Sequence, residues 1–190
     1  MPPKVKITKN EIIEKALELL KERGEEALNA RTLAATLGSS TQPIFSNFET
    51  MGALRAAVSN AAYDYYLTFL KREEKLGKYP RYKSFGMAYI HFAKEEKQLF
   101  KFLFMCDRNG EDIKPGEDFN ESVKIIMNAN GFTQETAELF HLEMWAFVHG
   151  IAAMSATTFL ELDEELISRM ITDVYQGALR IHSEGKDGSN

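Results

Sequence analysis

Residues 29–48 read NARTLAATLGSSTQPIFSNF, and this stretch decides the fold of the N-terminal part of the chain. Asn29 is a favourable N-cap because its side chain can accept from an amide of the first helical turn. Leu33 and Leu37 then follow at helical spacing, and Gly38 supplies a stop signal. The pattern therefore predicts a short helix that ends at a glycine-containing turn.

A second short helix is predicted directly after that turn, over about residues 41–47. Ser40 can cap it, and Pro43 falls in its first turn, where a missing amide hydrogen costs little. Ile44 and Phe48, four residues apart, form its apolar stripe. Two short helices joined by a glycine-containing turn are the pattern of a helix-turn-helix.

The outward side of this second helix is polar. If the apolar stripe faces the core, then Thr41, Gln42, Phe45 and Ser46 point away from it. Threonine and glutamine can hydrogen-bond base edges, and apolar groups can contact thymine methyls. Arg31, at the start of the first helix, can reach a guanine or a phosphate. The pattern indicates DNA binding, with simple packing of two helices as the alternative.

The remaining helices are predicted from their caps and apolar spacing. Thr8 and Glu11 form a capping box that opens a helix over about 9–23, which Gly24 ends. A long helix is predicted from just after Thr50 to about residue 74, and the next helix begins at Pro80. Residues 99–105 are predicted as a helix, although their composition also allows a strand. The last three helices are predicted over about 117–129, from Thr133 through about Leu160, and from Asp163 onward. We therefore expect an all-α protein of about nine helices.

Charge is divided unevenly along the chain. The net charge is −5, yet residues 1–55 hold eight basic and seven acidic side chains, and the remaining residues hold 15 and 21. An arm that carries Lys4, Lys6 and Lys9 could lie along phosphates, or it could be a solvated tail. Cys106 is the single cysteine, so no disulfide can form within the chain. The N-terminus has no signal-peptide pattern, and no apolar run is long enough to span a membrane, so we expect a cytoplasmic protein.

Residues 8–58 resemble the DNA-binding region of the TetR family. The matching segments are IIEKALELL at 12–20, RTLAATLG at 31–38, IFSNF at 44–48, and Leu54. The segment WAFVHG at 145–150 resembles a motif in the ligand-binding part of one TetR subgroup. The resemblance implies a helix-turn-helix DNA-binding domain at 1–54 and a helical ligand-binding and dimerisation domain at 55–190.

The DNA contacts follow from the resemblance together with the exposed face. The residues expected to contact DNA are Arg31, Thr32, Ser40, Thr41, Gln42, Pro43, Phe45, Ser46 and Asn47. The chain departs from the family at two positions, because the family usually has tyrosine where Phe45 stands and lysine where Met51 stands. Since both departures remove a group that would meet a phosphate, we expect weaker and less salt-dependent DNA binding than in the family at large.

The C-terminal part is rich in aromatic residues that could line an effector pocket. The candidates are Tyr65, Phe69, Tyr89, Phe92, Phe102, Met105, Trp145 and His149. Tyr89, Trp145 and His149 are the best anchors, because each joins an apolar body to a polar tip. The alternative for each residue is an ordinary place in a helical core. The resemblance also implies that the last two helices form a homodimer interface.

These expectations describe a transcriptional regulator, most simply a repressor released from a palindromic operator by a small apolar or aromatic ligand, with no cofactor and no enzymatic activity. Two alternatives stay open, a small helical enzyme or metal-binding bundle, and a helical interaction protein. Glu138 and His141 form one Glu-x-x-His motif where a di-iron bundle needs two. The loop Asp107–Asp112 has alternating oxygen ligands but lacks the glycine and the final glutamate of an EF-hand.

Overall fold

The computed structural model describes residues 7–107 and 116–184. These residues form nine α-helices and no strand: α1 Lys9–Arg23, α2 Ala30–Thr36, α3 Gln42–Asn47, α4 Met51–Lys75, α5 Arg81–Glu95, α6 Lys97–Phe104, α7 Glu117–Asn130, α8 Gln134–Ala156 and α9 Glu164–Glu184. One short 3₁₀ turn, Glu25–Ala27, follows α1. The predicted all-α class is confirmed. The basic arm before residue 7 and most of the loop after Asp107 lie outside the described residues.

The predicted caps form as expected at four helices. Thr8 Oγ1 accepts from the Glu11 amide at 3.2 Å, and the Glu11 carboxylate accepts from the Thr8 amide at 2.7 Å, which completes the capping box. Asn29, Thr133 and Asp163 each accept from the amide three residues later, at 3.0, 3.2 and 2.8 Å. These bonds satisfy amides that have no partner inside the helix, so the helix starts follow from local sequence.

Other details differ from the sequence predictions. Thr41 rather than Ser40 occupies the cap position of α3, and its side chain makes no capping bond. The segment predicted as helix or strand is helical, so the strand alternative is wrong. The end of α8 near Leu160 is also wrong, because the helix stops at Ala156. The stop is a backbone turn in which Thr158 takes a left-handed φ of 58°.

The helices form two compact units. The first contains residues up to Tyr66 and the segment Glu96–Cys106, and so holds α1, α2, α3, α6 and the start of α4. The second contains Leu67–Glu95 and the chain from Asp107, and so holds the end of α4 with α5, α7, α8 and α9. In the first unit α6 packs against α1, and in the second α5 packs mainly against α8.

This division differs from the predicted boundary between residues 54 and 55. The boundary in function stays a prediction, but one consequence drawn from it needs correction. With a boundary at that place, α4 would be the only element that joins the two parts. The chain instead passes between the units at residues 66/67, 95/96 and 106/107.

Candidate functional site

The helix-turn-helix packs around a small apolar core. Leu33 of α2 and Ile44 of α3 are fully buried, and Phe48, which follows α3, is 4% exposed. Leu37 is only half-buried at the end of α2. Gly38 takes a φ of 61° in the turn, a left-handed conformation that favours glycine. Because Ile44 is held in this apolar core, the opposite side of α3 faces solvent.

The outward face of α3 carries the predicted base-contacting residues. Thr41, Gln42 and Ser46 are exposed, and Phe45 is 49% exposed. The Ser46 hydroxyl donates to the Gln42 carbonyl at 2.8 Å, while the Gln42 side chain extends from the first turn. Gln42 is the first residue of α3, which is where the sequence analysis expects contact with base edges.

The neighbouring candidates divide by what their side chains already bind. Arg31 and Ser40 are exposed. The Thr32 hydroxyl donates to the N-cap Asn29 at 3.0 Å. Asn47 is half-buried, and its amide donates to the carbonyls of Pro43 at 2.8 Å and Ile7 at 3.4 Å. Asn47 therefore ties α3 to the start of α1.

A charged cluster fastens α6 inside the first unit. Glu96, just before α6, accepts from the Tyr65 hydroxyl at 2.7 Å and pairs with the Lys21 ammonium at 2.9 Å. The same ammonium lies 3.9 Å from the centre of the Tyr65 ring. At the other end of α6, the Arg55 guanidinium lies 4.8 Å from the Phe102 ring centre and pairs with Glu25.

These contacts separate three of the predicted effector residues from the rest. Tyr65, Phe102 and Met105 belong to the first unit, and Met105 is 43% exposed. The second unit holds the other five, of which Phe69 and Phe92 are buried and pack edge to face at 5.4 Å between ring centres.

The three best anchors come together in the second unit. The Tyr89 hydroxyl and His149 Nδ1 are 2.9 Å apart, and the Trp145 ring stacks on His149 at 5.0 Å with 25° between the planes. Burial raises the pKa of Tyr89, the nearby Asp118 charge adds to that rise, and a hydrogen bond with Trp145 opposes it. Burial lowers the pKa of His149. Trp145 is 41% exposed, so the cluster reaches solvent.

A second tyrosine–histidine pair was missed by the sequence analysis. The Tyr82 hydroxyl and His141 Nδ1 are 2.9 Å apart, and the Phe119 ring packs edge-on against His141 at 4.7 Å. Burial lowers the pKa of His141 to about 4, and the Asp118 charge opposes that shift only in part. Burial also raises the pKa of Tyr82.

The two pairs repeat along one seam between α5 and α8. Tyr82 and Tyr89 are two helical turns apart, and His141 and His149 are eight residues apart. The nearly equal Tyr-to-His spacing, 59 and 60 residues, was the one sequence signal that could have linked the pairs. Asp118 acts electrostatically on Tyr89 of one pair and on His141 of the other, so the pairs share one neighbourhood.

The Glu-x-x-His motif does not converge. Glu138 is exposed and accepts from Gln134 at 2.8 Å, while His141 faces Tyr82. Within residues 7–107 and 116–184 no three histidine, cysteine or acidic side chains are grouped so as to hold a metal ion. The loop 107–112, which has alternating oxygen ligands but lacks two positions of an EF-hand, lies outside the described residues except for Asp107. None of the helices in the described part of the chain is long and apolar enough to cross a membrane.

Comparison with known families identifies the helices of the second unit. Residues 82–174 match the family model of the tetracyclin repressor-like C-terminal domain. No curated protein matches the chain. The matched segment begins at Tyr82 and ends within α9, so it includes both tyrosine–histidine pairs. This domain supports a regulator of the TetR family, a family of transcriptional regulators that are in general not enzymes.

Proposed function

We propose that this protein is a cytoplasmic, sequence-specific DNA-binding repressor that binds a palindromic operator as a homodimer and leaves it when a small molecule binds. The observation that carries the proposal is the outward face of α3, where Thr41, Gln42 and Ser46 stand exposed above a fully buried Ile44. A helix that served only for packing would not need exposed polar side chains on this face and an exposed Arg31 beside it.

The chemistry of this face suits base recognition in the major groove. Gln42 can pair with an adenine edge through two hydrogen bonds, and Arg31 can do the same with guanine or can bind a phosphate. Phe45, half-exposed beside them, suits an apolar contact such as a thymine methyl. Ser40, Thr41, Pro43 and Ser46 complete the proposed surface. Thr32 and Asn47 contribute through the bonds that hold α2 and α3 in place.

A homodimer is supported by features of α8 and α9 that the fold of one chain does not require. Gly150 and Gly177 lie inside these helices, where glycine costs about 1 kcal/mol relative to alanine. A Cβ atom at either position would meet nothing within 4 Å. Leu139 and Leu142 on α8 are 50% and 51% exposed, so a second copy could cover them while its helices approach the glycines.

Release by a ligand is supported by the polar aromatic cluster of the second unit. Tyr89, Trp145 and His149 contact one another within an apolar helical domain, as anchors of an effector site would. A ligand that binds one conformation better shifts the population toward it, and a changed separation of the recognition helices would weaken operator binding. Three passages of the chain between the units offer routes for this coupling.

The test is selection of binding sites from a random pool of duplex DNA at one stated salt concentration. We expect a palindrome whose half-sites lie about one helical turn apart, roughly 34–36 Å. The selected site is then measured with Arg31→Ala, Gln42→Ala and a control, Lys124→Ala, which removes one positive charge from an exposed position on α7.

Each of the two helix-turn-helix variants should lose affinity for the selected site by about 5- to 150-fold, equivalent to roughly 1–3 kcal/mol, while the control stays close to the parent protein. Circular dichroism should show equal helix content in all four proteins. The proposal fails if a folded, dimeric sample enriches no sequence, or if Lys124→Ala weakens binding as much as Arg31→Ala does.

A further inference from the structure

His141 presents one ring nitrogen that no described residue contacts through a hydrogen bond. Its Nδ1 pairs with the Tyr82 hydroxyl at 2.9 Å, and its Nε2 makes no hydrogen bond with any described residue. No fully buried side-chain nitrogen or oxygen in the described part of the chain lacks a partner. The Nε2 atom therefore borders a space that a water molecule, and so a ligand atom, can reach.

Aromatic rings surround the imidazole of His141. The rings of Phe119 and Tyr82 stand edge-on to the imidazole, at 4.7 and 5.8 Å between centres. Tyr82 also packs against Tyr175 of α9 at 5.9 Å, so rings from α5, α7, α8 and α9 meet here. Aromatic side chains that present edges and faces in this way suit a flat aromatic partner.

The charges that face His141 disfavour an anion. The imidazole is neutral near neutral pH, since burial lowers its pKa to about 4. Among the described groups, Asp118 is the charged one whose field acts on His141, and it is negative. An anionic ligand beside His141 would meet a neutral imidazole and would bring its own charge into the negative field of Asp118.

We propose that His141 Nε2 is the hydrogen-bonding anchor of the effector site and that the effector is an uncharged aromatic molecule with a hydroxyl group, not a carboxylate or phosphate. The proposal rests on the proposed ligand response and adds Tyr82, Phe119 and His141 to the site. A hydroxyl suits either imidazole tautomer, because it can accept from a protonated Nε2 or donate to an unprotonated one.

The test uses 2-naphthol and its charged counterpart 2-naphthoate as probes, with titration calorimetry at pH 7.5 on the full chain without DNA. The two probes share the naphthalene ring and differ in charge. We expect 2-naphthol to bind at least tenfold more tightly than 2-naphthoate. Equal or tighter binding of 2-naphthoate overturns the proposal, as does the absence of binding by both probes to the folded protein.

Two substitutions then locate the anchor. His141→Asn keeps a polar group near Nδ1 for Tyr82 but has nothing at the Nε2 position, whereas the longer His141→Gln places its amide there. We expect the affinity for 2-naphthol to fall by about three- to tenfold in His141→Asn, the effect of one hydrogen bond, and to stay within about twofold in His141→Gln. Equal affinities of the parent protein and His141→Asn overturn the assignment.

The two proposals fail separately. If 2-naphthol binds as expected and no operator is selected, the DNA-binding function is wrong and the ligand class stands. If an operator is selected and neither probe binds, the ligand class is wrong and DNA binding stands.

Discussion

His141 should make the stability of this protein depend on pH in a range where most side chains do not titrate. In the folded chain burial holds the pKa of His141 at about 4, whereas an exposed histidine has a pKa of 6.5. The folded state therefore keeps this imidazole neutral at pH values where the unfolded chain already binds a proton. The contribution of His141 to the free energy of unfolding is complete above about pH 6.5. It falls as the pH drops from 6.5 toward 4, because protonation favours the unfolded chain.

The size of the effect follows from the two pKa values. The full difference of 2.5 units corresponds to about 3 kcal/mol, at about 1.4 kcal/mol per unit. At pH 5 most unfolded chains but few folded ones carry the proton, which leaves a loss of about 2 kcal/mol relative to pH 7.5. For a domain whose free energy of unfolding is about 5–15 kcal/mol, this loss is easily measured.

The assay is urea unfolding of the parent protein and of His141→Asn at pH 7.5, 6 and 5. Asparagine does not titrate and keeps a polar group near the Tyr82 hydroxyl, so the comparison isolates the histidine. Groups common to both proteins cancel, among them His149, Glu11 and Glu164, whose pKa values are also lowered. Between pH 7.5 and 5 the parent should lose about 2 kcal/mol more than the variant. Equal losses of free energy of unfolding in the two proteins would show that His141 does not cause the pH dependence.

Three further predictions concern substitutions at other positions. The double variant Phe45→Tyr with Met51→Lys should bind the operator more tightly. The added lysine should also steepen the plot of log affinity against log salt concentration, measured by fluorescence anisotropy, by about 0.9 per phosphate contact. An unchanged slope would show that these side chains do not meet phosphates. Thr158→Gly should raise the free energy of unfolding by about 1 kcal/mol in urea titrations, because glycine removes the strain at a φ of 58°. A loss of stability would mean that the threonine side chain contributes more than the strain costs. Gly150→Leu should yield folded monomers in sedimentation experiments, since a Cβ there meets nothing in its own chain, while Gly150→Ala serves as the milder control; dimers of unchanged strength would rule out close approach at Gly150.

The parts of the fold that follow from neighbours in sequence were predictable. The capping box of Thr8 and Glu11 and the caps at Asn29, Thr133 and Asp163 all involve residues three apart, and each forms in the structure. The exposed face of α3 was equally accessible, because burial of Ile44 and Phe48 dictates which residues of a short helix point outward. The proximity of Tyr89, Trp145 and His149 was expected only from their chemistry, and their role remains a proposal.

The helix-turn-helix and most helix boundaries follow from the sequence alone, because spacing, caps and glycine turns act within a few residues. The packing of α6 with α1 and the contact of Tyr82 with His141, 59 residues away, arise only in the folded chain. Such pairs form because two distant apolar faces pack together, and burial then leaves each polar tip to find a partner nearby. Burial in this packed interior, rather than the residue type, lowers the pKa of His141, and the contact with Tyr82 occupies its Nδ1 rather than its Nε2.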